Sequence, residues 1–400
     1  MKISFCGIFL IAFCLADSSI GQSVMPPTAD LKREADRVLA ISDNVAQRAG
    51  IAPVFTLAGQ YAAAGKTHEA LSYYLKGLEH QPWNLEAQLA VARLLRSTGD
   101  TNGAQPKAEL VWKYAETDAL LAGAAELLGK PFDLQLPKSE PWPKDPFALA
   151  LVPYGNVDAW LLLELRADLP KLLGIPVIIR QLPLDLPKPG REPLHLRAED
   201  LRKRIATSRQ DQRFELLVNK LNLKTNSLAT DMEVFAFTET ILNSETNQEP
   251  ARQFREELAL LRRLGPQWDA NELIRRVGTA FAAKPGSERG YLAVTPVDLY
   301  ANDSRYVFGL AAIGANCGVF SYHRFTSAIV EDPPNRDRLK ERALKQALSS
   351  VGLMFGLPRC TDPTCARAYP NSLNEFDAKQ LKLCAQCQEG FAKRFGKKAE

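Results

Sequence analysis

The chain has 400 residues, of which 46% are hydrophobic and 24% are charged, and these fractions exclude a largely disordered protein. Its 50 basic and 46 acidic residues are interspersed and leave a formal net charge of +4, so we expect no nucleic-acid partner. The length predicts more than one domain, each large enough to bury a core.

Residues 1–22 are typical of a secretory signal peptide. An apolar run at 3–16 is too short to span a bilayer comfortably, and the small residues Ser19 and Gly21 follow it. We therefore expect an exported protein, periplasmic or extracellular. A lipid anchor at Cys14 is the alternative, and the bulky residue before that cysteine disfavours it. No later segment is long and apolar enough to predict a transmembrane span.

Residues 23–130 are predicted to form an all-α domain of helical hairpins that resembles tetratricopeptide repeats. Gly65 recurs as Gly99 and Ala70 recurs as Ala104, in each case after the 34 residues that such helix pairs use. A small alanine lets the two helices of a pair approach each other closely. These helix pairs present a concave face, which predicts a protein or peptide partner. A helical-hairpin domain without peptide binding remains the alternative.

A change in composition follows this domain. Residues 131–147 are rich in proline, which fixes φ and removes an amide donor, so they predict an extended linker. The segments "FALALVPYGNV" and "GIPVIIRQLPL" are typical of buried strands, and a helical pattern lies between them. Strand, helix and strand at this spacing predict an α/β domain with a mixed sheet. We expect this domain at 148–390, with a helical insertion at 209–289 and a basic tail at 391–400.

A helix is also predicted near the end of the α/β domain. In "RDRLKERALKQALSSVGLMFG" the apolar residues Leu344, Leu348, Val351 and Phe355 recur at a four-three-four spacing. That spacing places them on one face, which we expect to pack against the core. The expected fold class is therefore multidomain, with an all-α repeat domain followed by an α/β domain that contains a helical insertion.

The α/β region resembles an archaemetzincin, a small zinc peptidase of the metzincin type. The resemblance rests on "LALVPYGNVDAWLLLELRADLP", "YLAVTPVDLY", "YVFGLA" and "LPRCTDPTCARAYPNSLNEFDAKQLKLCAQC", together with Ser321 and Arg324. The family's pattern is HExxHxxGxxHC, then x4-C-x-M, a spacer and CxxC. The resemblance implies a metzincin-like domain, and Gly356 and Cys360 fix the register.

In that register the four residues that carry catalysis in the family are replaced. Ser349 stands at the first histidine, Leu353 at the second and Arg359 at the third, while Ser350 stands at the glutamate. A catalytic zinc needs three protein ligands and an open position for water, and a carboxylate takes the proton of that water. Serine is a poor ligand, leucine has no lone pair and arginine is a fixed cation. These positions are therefore vestigial, and we expect no peptidase activity by the family's mechanism.

The sequence leaves two other chemistries open. An active zinc metallopeptidase would need other ligands, for which Glu239 and Glu245 in the insertion are candidates. A cysteine–histidine pair of Cys317 and His323 would need a turn between them, because six residues of strand separate two side chains by roughly 20 Å. A buried cysteine and an edge-strand histidine are the preferred interpretation.

Four cysteines are concentrated in the last tenth of the chain. Cys360 and Cys365 form one close pair, and Cys384 and Cys387 form another. Two pairs at these short spacings predict a structural zinc site, one per chain, whose closed shell leaves no position for catalysis. Disulfides are the alternative, because an exported protein meets oxidants.

These observations favour an exported, catalytically inactive archaemetzincin-like protein that acts as a protein- or peptide-binding or scaffold protein. Arg359, and Arg367 at the position of the family's methionine, are candidates to bind a carboxylate in the cleft. The alternatives are an active zinc metallopeptidase with non-standard ligands and a purely structural repeat protein.

Overall fold

The computed structural model describes most of the chain. The chain forms two compact units, of which the first ends at Asp133 and the second begins at Leu134. The predicted signal peptide and Cys14 lie outside the described residues. The described residues are 28–40, 50–181, 185–223, 228–245 and 247–396. Within those ranges no helix has both the length and the apolar character that a membrane crossing requires.

The first unit is built from helical hairpins. Its described helices are α1 (Ala29–Leu39), α2 (Ala52–Ala63), α3 (Thr67–His80), α4 (Leu85–Ser97), α5 (Thr101–Tyr114) and α6 (Asp118–Leu128). The predicted period of 34 residues separates the starts of α3 and α5. Gly65 and Gly99 precede these helices with left-handed φ angles of 71° and 89°, which glycine adopts without strain. Ala70 and Ala104 are buried, at 0% and 4% exposure, as close helix packing requires.

The second unit contains the predicted α/β domain, and its mixed sheet is confirmed. Its elements are β1 (Ala148–Pro153), α7 (Ala159–Leu173), β2 (Val177–Ile179), α8 (Pro193–Ser208), α9 (Gln212–Lys220), α10 (Asp231–Asn243), α11 (Glu249–Leu264), β3 (Gln267–Asp269), α12 (Ala270–Ala280), β4 (Arg289–Thr295), β5 (Asp298–Tyr300), β6 (Gly309–Ala311), β7 (Cys317–Ser321), a 3₁₀ turn (His323–Phe325), α13 (Ser327–Val330), α14 (Arg336–Met354), α15 (Leu373–Ala378) and α16 (Ala385–Arg394).

The main sheet has the strand order β2-β1-β4-β7-β6. Its first four strands are parallel, and β6 pairs antiparallel with β7 at the edge. The predicted unit of β1, α7 and β2 is therefore a parallel crossover, whose helix covers one face of the sheet. Strands β3 and β5 form a separate parallel pair.

Helices cover the two faces of the main sheet. On one face Ala150, Ala293 and Val319 pack with Leu273 and Val277 of α12. Side chains of neighbouring residues in a strand point to opposite faces, so Gly290 and Gly318 lie on the other face. There they approach Met354 at the end of α14. The predicted apolar stripe of α14 is buried, as expected for a helix that packs on this face.

The helical insertion has different bounds from the predicted 209–289. Helices α8, α10 and α11 form a separate small core, in which Leu201 of α8 packs with Phe235, Phe254 and Leu258. Helix α12 packs on the sheet instead of on this core. The helical subdomain therefore runs from the start of α8 to the end of α11, where Gly265 adopts a φ of 63°. Amphipathic helices look alike in sequence whichever core they join, so periodicity did not separate α8 and α12.

The linker predicted at 131–147 is not free along its whole length. The Glu140 backbone N–H donates to the Ile179 carbonyl over 2.9 Å, and the Glu140 carboxylate accepts from the Ile179 N–H at 2.6 Å. Trp142 packs edge to face on Tyr291 with ring centres 5.5 Å apart. The second half of the segment therefore covers the edge strand β2, and a proline-rich segment suits an edge because it forms only isolated hydrogen bonds.

The described part of the basic tail predicted at 391–400 is not a free tail. Phe391 and Phe395 are buried at 4% and 6% exposure, and Arg394 donates to the Phe355 carbonyl at 3.1 Å. The described part of this segment therefore belongs to α16 and its end, because its aromatic residues pack into the core, Arg394 is half-buried and Lys393 is exposed.

A buried ion pair connects β5 with the turn that follows β7. Arg324 donates two hydrogen bonds of 2.7 Å to the Asp298 carboxylate, which also accepts from Gln267 at 2.8 Å. The Asp298 side chain is 1% exposed. A carboxylate buried this deeply is stable only while its hydrogen-bonding partners remain.

We expect the substitution Arg324→Ala to lower the free energy of unfolding of the second unit by about 3–5 kcal/mol, because it leaves a buried charge unpaired. Arg338→Ala is the matched control, since Arg338 pairs with Asp332 at a partly exposed site. That control is expected to lose at most about 1 kcal/mol. Urea unfolding followed by circular dichroism measures both variants. Equal losses would contradict the account.

Candidate functional site

The motif glycine ends α14 and sets the direction of the chain beyond it. Gly356 has a φ of 91°. Its N–H donates to the Leu353 carbonyl at 3.0 Å, and the Leu357 N–H donates to the Gly352 carbonyl at 2.8 Å. These bonds satisfy carbonyls at the end of the helix, and glycine reaches the left-handed conformation without strain. The turn delivers residues 357–360 toward the cysteine cluster.

The vestigial catalytic positions lie at the end of α14 and just beyond it. Ser350 is 2% exposed, and its hydroxyl accepts a hydrogen bond of 3.2 Å from the Gln346 amide. Ser349 and Leu353 are half-buried. Arg359 is exposed and stacks on the Tyr369 ring, 4.0 Å from its centre. The set offers hydroxyls, an alkyl group and a guanidinium, and none of these is a good zinc ligand.

The alternative zinc ligands are placed in the helical subdomain. Glu239 of α10 forms an ion pair with Arg255 of α11 at 3.3 Å. Glu245 is exposed in the turn between the same two helices. Neither glutamate belongs to a described group of three or more histidine, cysteine, aspartate or glutamate residues that could share a metal ion.

Cys317 and His323 have separate partners. The Cys317 thiol donates to the Ile274 carbonyl at 3.6 Å, and burial raises the pKa of this thiol to about 12. The His323 Nδ1 atom lies 3.0 Å from the Pro296 carbonyl, and burial lowers the pKa of the ring. His323 lies in the 3₁₀ turn and not on an edge strand. A protonated thiol and a neutral ring are not the ion pair of an activated cysteine nucleophile.

The four C-terminal cysteines converge on one point. Cys360 lies directly after the turn at the end of α14, Cys384 caps α16, and Cys387 lies in the first turn of that helix. All four sulfur atoms lie within 4.8 Å of one another, and Cys360 Sγ and Cys384 Sγ are 3.5 Å apart. The Cys384 N–H donates to Cys365 Sγ at 3.4 Å, so the backbone also orients the cluster.

The pKa values of three of the cysteine thiols are shifted in different directions. Burial raises the pKa of Cys360 and of Cys387, and the nearby Arg367 opposes the rise at Cys387. Burial acts in the same direction at Cys384, but hydrogen bonds from the Cys387 backbone and from neighbouring thiols outweigh it and lower the pKa of Cys384. The cluster therefore contains one thiol whose pKa is lowered beside two whose pKa is raised.

Two buried cations, Arg367 and Lys379, lie beside the cysteine cluster. The sequence did not predict this position for either of them. Arg367 is 3% exposed and donates to Cys387 Sγ at 3.2 Å and to the carbonyls of Leu357 and Pro358 at 3.0 and 2.7 Å. Lys379 is also 3% exposed, and burial lowers its pKa to about 8. The one sequence signal for Arg367 is that a charged residue stands where the family pattern has methionine. Arg367 is buried, and both terminal nitrogens of its guanidinium already donate to Cys387 Sγ and to backbone carbonyls, so the prediction that it binds a ligand carboxylate is wrong.

The cysteine cluster fits a zinc ion in donor chemistry and spacing. Thiolates are preferred zinc ligands, and bonds of about 2.3 Å in a tetrahedron separate the sulfurs by about 3.8 Å. The four sulfurs lie within 4.8 Å of one another, a spacing close to that of such a tetrahedron. Cys360, Cys365, Cys384 and Cys387 would hold the ion in a closed shell, which gives structural support and leaves no open position.

The fold and site define a metzincin-like α/β domain with a four-cysteine cluster, and comparisons with known proteins agree. The model of peptidase family M54 matches residues 289–393. The archaemetzincin of Pyrococcus furiosus is 37% identical over 106 residues, which are 26% of this chain and 55% of that protein. The archaemetzincin of Natronomonas pharaonis is 30% identical over 125 residues, which are 30% of this chain and 69% of that protein.

The chain belongs to the archaemetzincin family. It spans little more than half the length of several curated relatives, for example 58% of the archaemetzincin of Methanocaldococcus jannaschii, to which it is 36% identical over 103 residues and 26% of its own length. The crystal structure of an archaemetzincin from Methanopyrus kandleri matches 64% of this chain and 98% of its own, at 18% identity and a TM-score of 0.36. A superposition this loose carries no argument about function.

Gly352 provides the space that Arg367 occupies. A Cβ atom at Gly352 would lie 2.1 Å from Arg367 Nε, so Gly352→Ala must displace the guanidinium. We expect this variant to lose about 2 kcal/mol or more of unfolding free energy, because buried hydrogen bonds to a charged group are broken. Chemical unfolding of the full chain measures the loss.

The control is Gly278→Ala in α12, where the added Cβ meets only Cys317 Sγ at 3.9 Å. Alanine is the better helix former, so this control is expected to be neutral or slightly stabilising. If Gly352→Ala is as stable as Gly278→Ala, the close packing of Arg367 on α14 is not important for stability.

Proposed function

We propose that the chain is an exported, catalytically inactive member of the archaemetzincin family that holds one structural zinc ion and acts as a protein- or peptide-binding or scaffold protein. One observation carries the proposal: the ligand and base positions of the family hold Ser349, Ser350, Leu353 and Arg359, while the adjoining turn and the four cysteines are retained. Loss of the catalytic residues beside a retained turn and a retained set of cysteines is expected when the fold is kept for another purpose.

The surroundings of the replaced residues support inactivity. Ser350 has no carboxylate that could take a proton from water. It is also buried and hydrogen-bonded to Gln346, so its hydroxyl is not exposed to solvent. Arg359 would place a fixed positive charge beside a divalent cation. Within the part of the chain that the structure describes, the cysteine cluster is the only group of histidine, cysteine and carboxylate residues close enough to share an ion.

The structural zinc ion is favoured over disulfides by the arrangement of the sulfurs. Four thiols gathered around one centre suit a tetrahedral ion, whereas two disulfides would bring the sulfurs together in two separate pairs at about 2.05 Å. A closed tetrathiolate site clamps the turn after α14 to α16, and metal binding of this kind contributes directly to folding. We therefore assign Cys360, Cys365, Cys384 and Cys387 as its ligands.

The binding role rests on exposed groups in each unit considered separately. The helical hairpins of the first unit belong to a class of fold that presents a concave face to protein partners. In the second unit Arg359 and Tyr369 stack at the surface, and Tyr369 is 59% exposed. A guanidinium that lies over an exposed ring can still donate hydrogen bonds to a carboxylate, so we propose Arg359 as the contact for an acidic group of a bound peptide.

One experiment tests both parts of this function. The mature chain is immobilised and incubated with a peptide library whose members carry free C-terminal carboxylates, with and without a zinc chelator, and mass spectrometry reads cleavage and retention. We expect no chelator-sensitive cleavage. We also expect retained peptides, and about tenfold weaker retention by the Arg359→Ala variant, because a charge-assisted hydrogen bond contributes about 1.5–3 kcal/mol.

Arg338→Ala is the matched control for retention, because Arg338 lies on the same helix as the vestigial serines and already pairs with Asp332. A zinc peptidase of known activity is the control for cleavage. Chelator-sensitive products from the mature chain would overturn inactivity. Equal retention by Arg359→Ala and Arg338→Ala would overturn the role of Arg359.

A further inference from the structure

We propose that Arg367 and Lys379 are the counter-ions of the four-cysteine metal site and set its affinity for zinc. This inference rests on the zinc site of the proposed function, and it assigns a role to two residues outside the metal ligands. Both residues are buried at 3% exposure, a degree of burial that is rare for arginine and lysine without an anionic partner.

Arg367 contacts the cluster directly. One terminal nitrogen of its guanidinium donates to Cys387 Sγ at 3.2 Å, and the other donates to the carbonyls of Leu357 and Pro358. It thereby connects a cysteine of α16 to the turn that leads into Cys360. Among the described residues no carboxylate forms an ion pair with Arg367, so the sulfur is the acceptor best able to carry a compensating negative charge.

Lys379 acts on the same turn from the other side. Its ammonium donates to the carbonyls of Ala366 and Ala368 at 3.0 and 3.2 Å, which are the two neighbours of Arg367 in the chain. It also lies over the Phe376 ring, 4.0 Å from its centre. No ion pair to a carboxylate is present for Lys379 within the described ranges. Lys379 therefore holds the backbone from which Cys365 and Arg367 both project.

The formal charges of the two cations and of an occupied zinc site cancel. A zinc ion of +2 with four thiolates of −1 has a formal charge of −2, and Arg367 and Lys379 together supply +2. Neutral disulfides or thiols would leave two buried cations without an anion, which costs several kcal/mol for each ion. The family pattern has methionine where this chain has Arg367, so the direct hydrogen bond from this position to a sulfur is a feature of this chain.

The test is the zinc affinity of the mature chain and of single variants, measured by competition with a chromophoric chelator. Partners outside the ligand shell of a metal site commonly change affinity 10- to 100-fold. We therefore expect Arg367→Met and Lys379→Met to bind zinc about 10- to 100-fold more weakly, and Arg367→Lys to recover part of the loss. Lys382→Met is the control, because Lys382 is an exposed cation two residues from Cys384.

Cobalt substitution separates an electrostatic role from a merely structural one. The absorption of thiolate-bound cobalt reports tetrahedral geometry, which we expect to persist in Arg367→Met while affinity falls. Should that variant fail to fold, Lys379→Met and Arg367→Lys carry the same test. A wild-type chain that binds no zinc would overturn the proposed zinc site. A wild-type chain that binds zinc, with unchanged affinity in all three variants, would overturn the counter-ion role alone.

Discussion

The C-terminal part of the second unit depends on a buried connection between the end of α14 and the cysteine cluster. Arg367 forms it, because its guanidinium hydrogen-bonds the turn at Leu357 and Pro358 and the thiol of Cys387 together. The turn itself is set by the left-handed Gly356, and α14 is anchored to the sheet by its apolar stripe. None of these contacts uses a side chain at the family's zinc-ligand positions, since Leu353 contributes only its backbone carbonyl. The catalytic residues of the family were therefore replaceable without loss of the fold.

The parts of the fold that were predictable are those with a local physical cause. The 34-residue period, the parallel crossover and the apolar stripe of α14 follow from spacing, and the structure contains all three. The bounds of the helical subdomain did not follow, because α8 and α12 are both amphipathic and only the packed structure shows that they join different cores. The predicted linker at 131–147 and the predicted basic tail at 391–400 also differ from their predictions. Their described parts contact residues that are distant in the sequence, such as Ile179 and Phe355.

The clustering of the four cysteines was predictable from the sequence, but the electrostatics of the candidate site were not. Short cysteine spacings identify the four thiols, and the register of the family identifies the vestigial positions. Lys379 carries no signal of burial in sequence, because lysine is usually exposed and its two acceptors are backbone carbonyls. Arg367 did stand out as a charge at a methionine position, yet only the structure shows that it faces a thiol and not a ligand carboxylate.

Native mass spectrometry of the mature chain, purified without added metal under non-oxidising conditions, tests the central claim most directly, because one mass gives both the zinc content and the redox state of the cysteines. The account predicts one zinc ion per chain and no disulfide bond. Two zinc ions would contradict the loss of the catalytic site. A chain without zinc and with its C-terminal cysteines in disulfides would contradict the tetrathiolate centre and the counter-ion role of Arg367 and Lys379.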